Sequence, residues 1–289
     1  MEETTMITIK LCAFSDEADS SLDGQIAALK RNSISYMEMR TVDGKNVTTL
    51  TKEEAQAIKE KLDANGIKVW SIGSPIGKVD INTDFDEYLK LVKHTCELAN
   101  ILGTTRIRMF SFFNAYDQKE KVFDYLRKMV EVANAYGVQL CHENEKDIYG
   151  DTKERVQEVM DNVDGLKYIY DPANYLQCGE TADNTLDMFH ATTDYFHIKD
   201  VVLKSGALVP AGMGDGKIDE LVARITEDKT LTLEPHLAVF EGYSHIDKTV
   251  MKHEVVFKTA TEAFDAAVNA IKTILVGAGY KAVDDTFVK

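Results

Sequence analysis

Four ionisable residues of this chain occupy the same kind of place. Glu143 closes the run "VQLCHE", Asp171 closes "LKYIYD", His197 lies in "DYFHIK", and Glu234 ends "LTLE". They are 28, 26 and 37 residues apart. Each interval is about one strand-plus-helix unit, so the four fall at the same height on successive strand ends. Three carboxylates and one imidazole form a hard O/N donor set. It suits Mn²⁺, Mg²⁺, Co²⁺ or Zn²⁺ and leaves room for substrate oxygens. A single acid at a strand end is commonly a helix N-cap; four at consecutive ends call for another reason.

Proline usage points the same way. The chain has four prolines, and two of them, Pro172 and Pro235, directly follow Asp171 and Glu234. A proline has no N–H to extend a parallel ladder, so the strand stops there. It also holds the preceding residue in extended geometry, which fixes where the carboxylate points.

The elements that must position these groups alternate along the chain. Strand-like "ITIKLCAF", "ISYMEMR", "IKVWSIG" and "TRIRMF" precede the four runs already named, with amphipathic segments between. Thr51 and Glu54 read as a capping box, and Gly66 as the stop of that helix. A helix across Phe85 to Leu102 is stopped by Gly103, Asp117 and Glu120 cap the next, and Thr152 caps the one after. A last helix is expected over roughly Glu254 to Val276. Eight such units predict one (β/α)₈ TIM barrel spanning 1–289 as a single domain. A doubly wound sheet is the alternative, but no GxGxxG or Walker turn follows any strand. The irregular stretch from Leu237 to His253 has the length of a lid. "GMGDG" at Gly212 to Gly216 is a loop signal.

Composition narrows the function classes. The net charge of −15 repels phosphate backbones, so no nucleic-acid partner is expected. No run of eighteen apolar residues suggests a membrane span, and "MEETTMITIK" lacks the apolar core of a signal peptide. Cys12, Cys96, Cys141 and Cys178 are widely separated and form no CxxC pair, which fits a reducing cytoplasm.

"HENE", "YDPAN", "FHIKD", "PAGMGDG" and "LEPHL" together resemble the xylose isomerase-like sugar phosphate isomerase/epimerase superfamily. The resemblance implies a (β/α)₈ barrel with one divalent metal, Mn²⁺ or Zn²⁺ before Mg²⁺ or Co²⁺, held by Glu143, Asp171, His197 and Glu234. It also implies that Glu143 and Glu234 flank the substrate carbon and move protons. The activity implied is a sugar, sugar phosphate or keto-sugar isomerase or epimerase working through an ene-diolate. A lyase or dehydratase on a keto-sugar, keto-glycoside or inosose would use the same site. A non-catalytic metal- or sugar-binding barrel is the alternative of another class. The chain departs from ketose 3-epimerases of that family, which tend to carry a histidine where Asn174 stands and an arginine where Leu203 stands. It also lacks the extra histidines of the related abasic-site endonucleases.

Strand alternation places Lys199 on the face of His197, and His236 lies two residues beyond Glu234. With Asn174 and Arg108 they are the expected substrate contacts. Glu38, Arg40, Arg106 and Arg108 also point inward, and a Glu38–Arg108 pair is expected, because an arginine inside a barrel needs a partner. His142, next to Glu143, should face the helices. The expected partner is a small carbohydrate; a homo-oligomer is compatible with the sequence.

Overall fold

The computed structural model describes residues 6–239 and 251–289. Short apolar runs, rich in β-branched and aromatic residues, form the strands β1 (Thr8–Ala13), β2 (Tyr36–Met39), β3 (Lys68–Ile72), β4 (Arg106–Met109), β5 (Gln139–Glu143), β6 (Lys167–Tyr170), β7 (Tyr195–Ile198) and β8 (Lys229–Leu233). Each pairs in parallel with the next in sequence, and β8 pairs back onto β1, with Leu231 opposite Leu11. The result is a closed eight-stranded parallel barrel, as the alternating pattern predicts. The strands are largely buried on both faces, so polar strand residues such as Glu38, Ser71, Arg108 and His197 are buried with the apolar ones.

The principal helices are α1 (Leu22–Arg31), α2 (Lys52–Ala64), α3 (Phe85–Leu102), α4 (Lys119–Ala135), α5 (Lys153–Asn162), α6 (Pro172–Gln177), α7 (Ala182–Phe189), α8 (Ile218–Ala223) and α9 (Ala260–Gly277). The capping box of α2 is present in full: Glu54 N–H donates to Thr51 Oγ1, and Thr51 N–H donates to Glu54 Oε2. Gly103 ends α3 at φ +78°, a conformation costly for any residue with a Cβ. Thr152 caps α5 as expected.

Two helix starts differ from expectation. Gln118 is the N-cap of α4 and its side chain, which donates to the Asn114 carbonyl, caps no N–H of the helix, so Asp117 and Glu120 do not form the expected cap. α9 begins at Ala260 rather than near Glu254, because Thr259 Oγ1 accepts from Glu262 N–H and Glu262 Oε2 accepts from Lys258 N–H. The preceding residues bridge elsewhere: His253 pairs with Leu208, and Glu254 accepts from Ser205 Oγ. The expected lid from Leu237 to His253 falls, over residues 240–250, outside the described residues.

A C-terminal hairpin (Lys281–Val283 and Thr286–Val288) had no signal in the strand pattern. It pairs antiparallel with Thr8–Lys10, the part of β1 that precedes its pairing with β2 at Cys12 and Ala13. The backbone groups at the start of β1 are thereby satisfied. Among the described residues no helix is long and apolar enough to cross a membrane.

Candidate metal centre

Parallel strands in one register bring their C-terminal ends to one rim, and the rim collects the acids. Glu143, Asp171, His197 and Glu234 are all buried, and each offers a ligand atom within 4.8 Å of the others. His197 Nδ1 is the hub, 3.0 Å from Glu143 Oε1 and 3.3 Å from Glu234 Oε2.

Asp171 shows how local folding aims a ligand. It is extended at φ −115°, ψ 111°, and caps α6, where Pro172 holds the first position. Its Oδ1 accepts from Asn174 N–H at 2.9 Å, and its backbone is held from both sides by the Asn144 amide. Oδ2 is left facing Lys199 Nζ at 2.9 Å. Asp171 is thus a helix cap through one oxygen and a site residue through the other.

Cations surround the acids. Arg108 Nη1 lies 3.2 Å from Glu143 Oε2 and 3.4 Å from Glu234 Oε1, and Nη2 donates to the Gly73 carbonyl. Arg40 binds Asp16 through two nitrogens and reaches Glu234 Oε1 at 3.0 Å. Lys199 also lies 3.5 Å from Glu234. Burial alone would raise the Glu234 carboxyl, but Lys199, His197 and His236 outweigh it and hold Glu234 well below the usual range. Asp171 goes the other way: burial, with Glu143 and Glu234 nearby, pushes it up to about 7 despite Lys199. Burial disfavours charged His197, yet Glu143 and Glu38 hold its imidazole well above the usual value.

The expected Glu38–Arg108 pair is not formed. Glu38 Oε2 lies 3.2 Å from His197 Nε2, and Glu38 Oε1 accepts from Tyr195 Oη at 2.9 Å. Arg108 takes the two glutamates instead. Arg106 sits two residues nearer the N-terminal end of the barrel, bound to Asp194 and stacked on Trp70. His142 lies away from the cluster, its Nε2 3.0 Å from Ser111 Oγ, and burial lowers it to about 3.

The other expected contacts all border the cluster. Asn174 Nδ2 donates to Glu143 Oε1 at 3.3 Å and to the Asn144 carbonyl at 2.9 Å. His236, at φ +47°, packs against Glu17, whose Oε2 accepts its N–H and whose Oε1 lies 3.3 Å from Nε2. Burial pushes Glu17 up to about 8. Asp16 and Glu17 escaped the sequence reading. They follow "CAFS" in the 3₁₀ turn after β1, beyond the strand alternation that marks the other rim residues. "GMGDG" is a nest for an internal carboxylate: Gly212, Gly214 and Gly216 N–H groups donate to Asp200. A Cβ on Gly214 would lie 2.4 Å from Asp200 Oδ1, so only glycine allows this approach.

The donor set fits a divalent cation. Glu143 Oε2 and Asp171 Oδ2 are buried and make no hydrogen bond, so each keeps coordination capacity beyond its ion pair. Three acids around one imidazole match the O/N preference of Mn²⁺ or Zn²⁺.

A family profile described as xylose isomerase-like TIM barrel matches residues 26–249. A comparison with curated protein sequences gives no match. Among solved structures, the chain resembles the IolI protein with a bound zinc atom at TM-score 0.71 and 17% identity, covering 93% of this chain and 99% of that one. It resembles an L-ribulose 3-epimerase at TM-score 0.70 and 16% identity, covering 94% and 96%. It resembles the probable 3-DHS dehydratase AsbF of petrobactin synthesis from Bacillus anthracis at TM-score 0.68 and 14% identity, covering 91% and 98%. At these identities the likeness is one of fold.

Proposed function

The chain belongs to the xylose isomerase-like TIM barrel family, and from that premise we propose that it is a divalent-metal-dependent isomerase or epimerase of a small sugar or keto-sugar. The observation that carries this reading is the division of labour within Glu143 and Glu234. One oxygen of each lies beside His197 Nδ1, while the other oxygen of each faces the same Arg108 Nη1. Each glutamate can therefore serve as a ligand and still present an oxygen toward a substrate between them. The epimerase and dehydratase named above support the reading by fold.

Glu143, Asp171, His197 and Glu234 would hold the metal. When bound, the cation supplies the positive charge that acidifies a C–H next to a carbonyl and offsets the negative charge that develops. One glutamate takes the proton from that carbon, and the other returns a proton, to the opposite face for epimerisation or to the adjacent carbon for isomerisation. Arg108 and Lys199 donate to substrate oxygens, and Asn174 holds Glu143 in place. Leu203 is half-exposed and brings no polar group. With no cation there, Arg108 and Lys199 are the cations left to meet a substrate, which favours a substrate other than a simple ketose epimerised at C3.

Solvent exchange tests the reading. With Mn²⁺, incubation in D₂O with a panel of ketoses and 3-keto glycosides should place deuterium next to the carbonyl of one of them. Exchange that persists at full rate in a Glu143→Gln, Glu234→Gln double variant would overturn it.

Metal uptake should also release protons. In the metal-free protein Glu143 and Glu38 hold His197 toward its protonated form against the cost of burial, and burial pushes Asp171 up to about 7. Both must be deprotonated to bind a cation, so affinity should rise as pH rises through 7 and fall below it. Calorimetric Zn²⁺ titration in two buffers of different ionisation enthalpy should show net proton release at pH 6; zero release would contradict the assignment.

A further inference from the structure

We propose that Glu38 is a positioning residue that selects which ring nitrogen of His197 faces the metal, and that Tyr195 and Ser71 hold Glu38 in that role. The inference rests on the metal-site reading above.

A neutral imidazole has one N–H and one lone pair. For Nδ1 to present its lone pair among Glu143, Asp171 and Glu234, the proton must sit on Nε2. A buried N–H there needs an acceptor, and His197 is fully buried. Glu38 Oε2, 3.2 Å from Nε2, is that acceptor. Glu38 stands outside the four-residue cluster, on the opposite edge of the ring, so it acts through the histidine and not as a ligand.

Glu38 is itself fixed. Its Oε1 accepts from Tyr195 Oη at 2.9 Å, and Tyr195 Oη lies 3.2 Å from Ser71 Oγ. Ser71 on β3 is the register partner of Glu38 on β2, just after a bulge between Met37 and Glu38. Tyr195 and His197 share β7 and one face. The imidazole is wedged between Phe14, edge-on at 5.3 Å, and Tyr195 at 5.6 Å, which resists a ring flip. Three strands thus cooperate beneath one ligand, and the negative charge of Glu38 makes Nδ1 a stronger donor.

The test uses the full chain and Zn²⁺. Chelator competition should show the Zn²⁺ Kd of Glu38→Gln raised by about 10–100-fold, with a smaller rise for Tyr195→Phe, which leaves the carboxylate in place. ¹⁵N-histidine NMR of the Zn²⁺-loaded wild type should show the His197 proton on Nε2 and the metal on Nδ1. Co²⁺ loaded into Glu38→Gln should show a shifted visible spectrum. Affinities within twofold of wild type in both variants, at unchanged melting temperature, would overturn the inference, as would Nε2 as the metal ligand. A folded wild type that binds no Zn²⁺ would overturn the metal-site reading itself. If Glu38→Gln does not fold, Tyr195→Phe and the wild-type tautomer still decide.

Discussion

Replacing Glu143 or Glu234 by glutamine is expected to slow the chemical step by ~10²–10⁴, the usual range for a lost general base. Glutamine keeps the volume and one oxygen donor, so metal affinity should fall only modestly. It removes the charge that accepts the proton. The two carboxylates lie on β5 and just past β8, and Arg108 Nη1 spans them at 3.2 and 3.4 Å. A substrate carbon between them meets one glutamate on each side. The variants should therefore differ. With a given epimer, one variant should still exchange the α-proton with D₂O while failing to convert the sugar, and the other should do neither. Exchange and turnover at wild-type rates in both would leave the pair a structural role and favour a non-catalytic barrel.

Metal withdrawal is the second large effect. Chelation should abolish turnover, and re-addition of Mn²⁺ or Zn²⁺ should restore it. The fold should respond as well, because a cation bound to the native site alone stabilises it by mass action. At a free metal concentration of 100 Kd this is about 2.7 kcal/mol, or roughly 5 °C in melting temperature for a chain of this size. The source is local. Three buried acids share one small space, and the positive side chains that face them are partly committed elsewhere: Arg40 to Asp16, and Arg108 to the Gly73 carbonyl. Thermal melts with and without chelator check this. A melting temperature that no divalent metal moves, in a protein whose activity survives chelation, would contradict it.

The barrel and its four rim residues were legible because both rest on local rules. Alternation of strand and helix signals sets the fold, and an acid that ends an apolar run marks the rim. Pro172 was readable for the same reason: its ring restricts its neighbour wherever the chain goes. What lay beyond reach was partner choice across the barrel. Alternation shows that Glu38 and Arg108 both face inward, but not which opposing strand each meets. The bulge before Glu38 and the height of β7 bring it to His197 and Tyr195, while Arg108 reaches the glutamates. Asp16 and Glu17 sit in a short 3₁₀ turn after β1, where no strand periodicity extends. The C-terminal hairpin was hidden because its strands are three residues each and largely exposed on their first arm, too short to show a pattern. The start of α4 was misplaced because Asp117 has the right chemistry for a cap but lies one residue too early.

The central claim is a single divalent cation held by one residue from each of the last four strand ends. The most direct measurement is anomalous diffraction from crystals grown with Mn²⁺. One anomalous peak should appear, bounded by the carboxylates of Glu143, Asp171 and Glu234 and by Nδ1 of His197, with Lys199 displaced from Asp171. A peak elsewhere, or these four side chains diverging at saturating Mn²⁺, would contradict it.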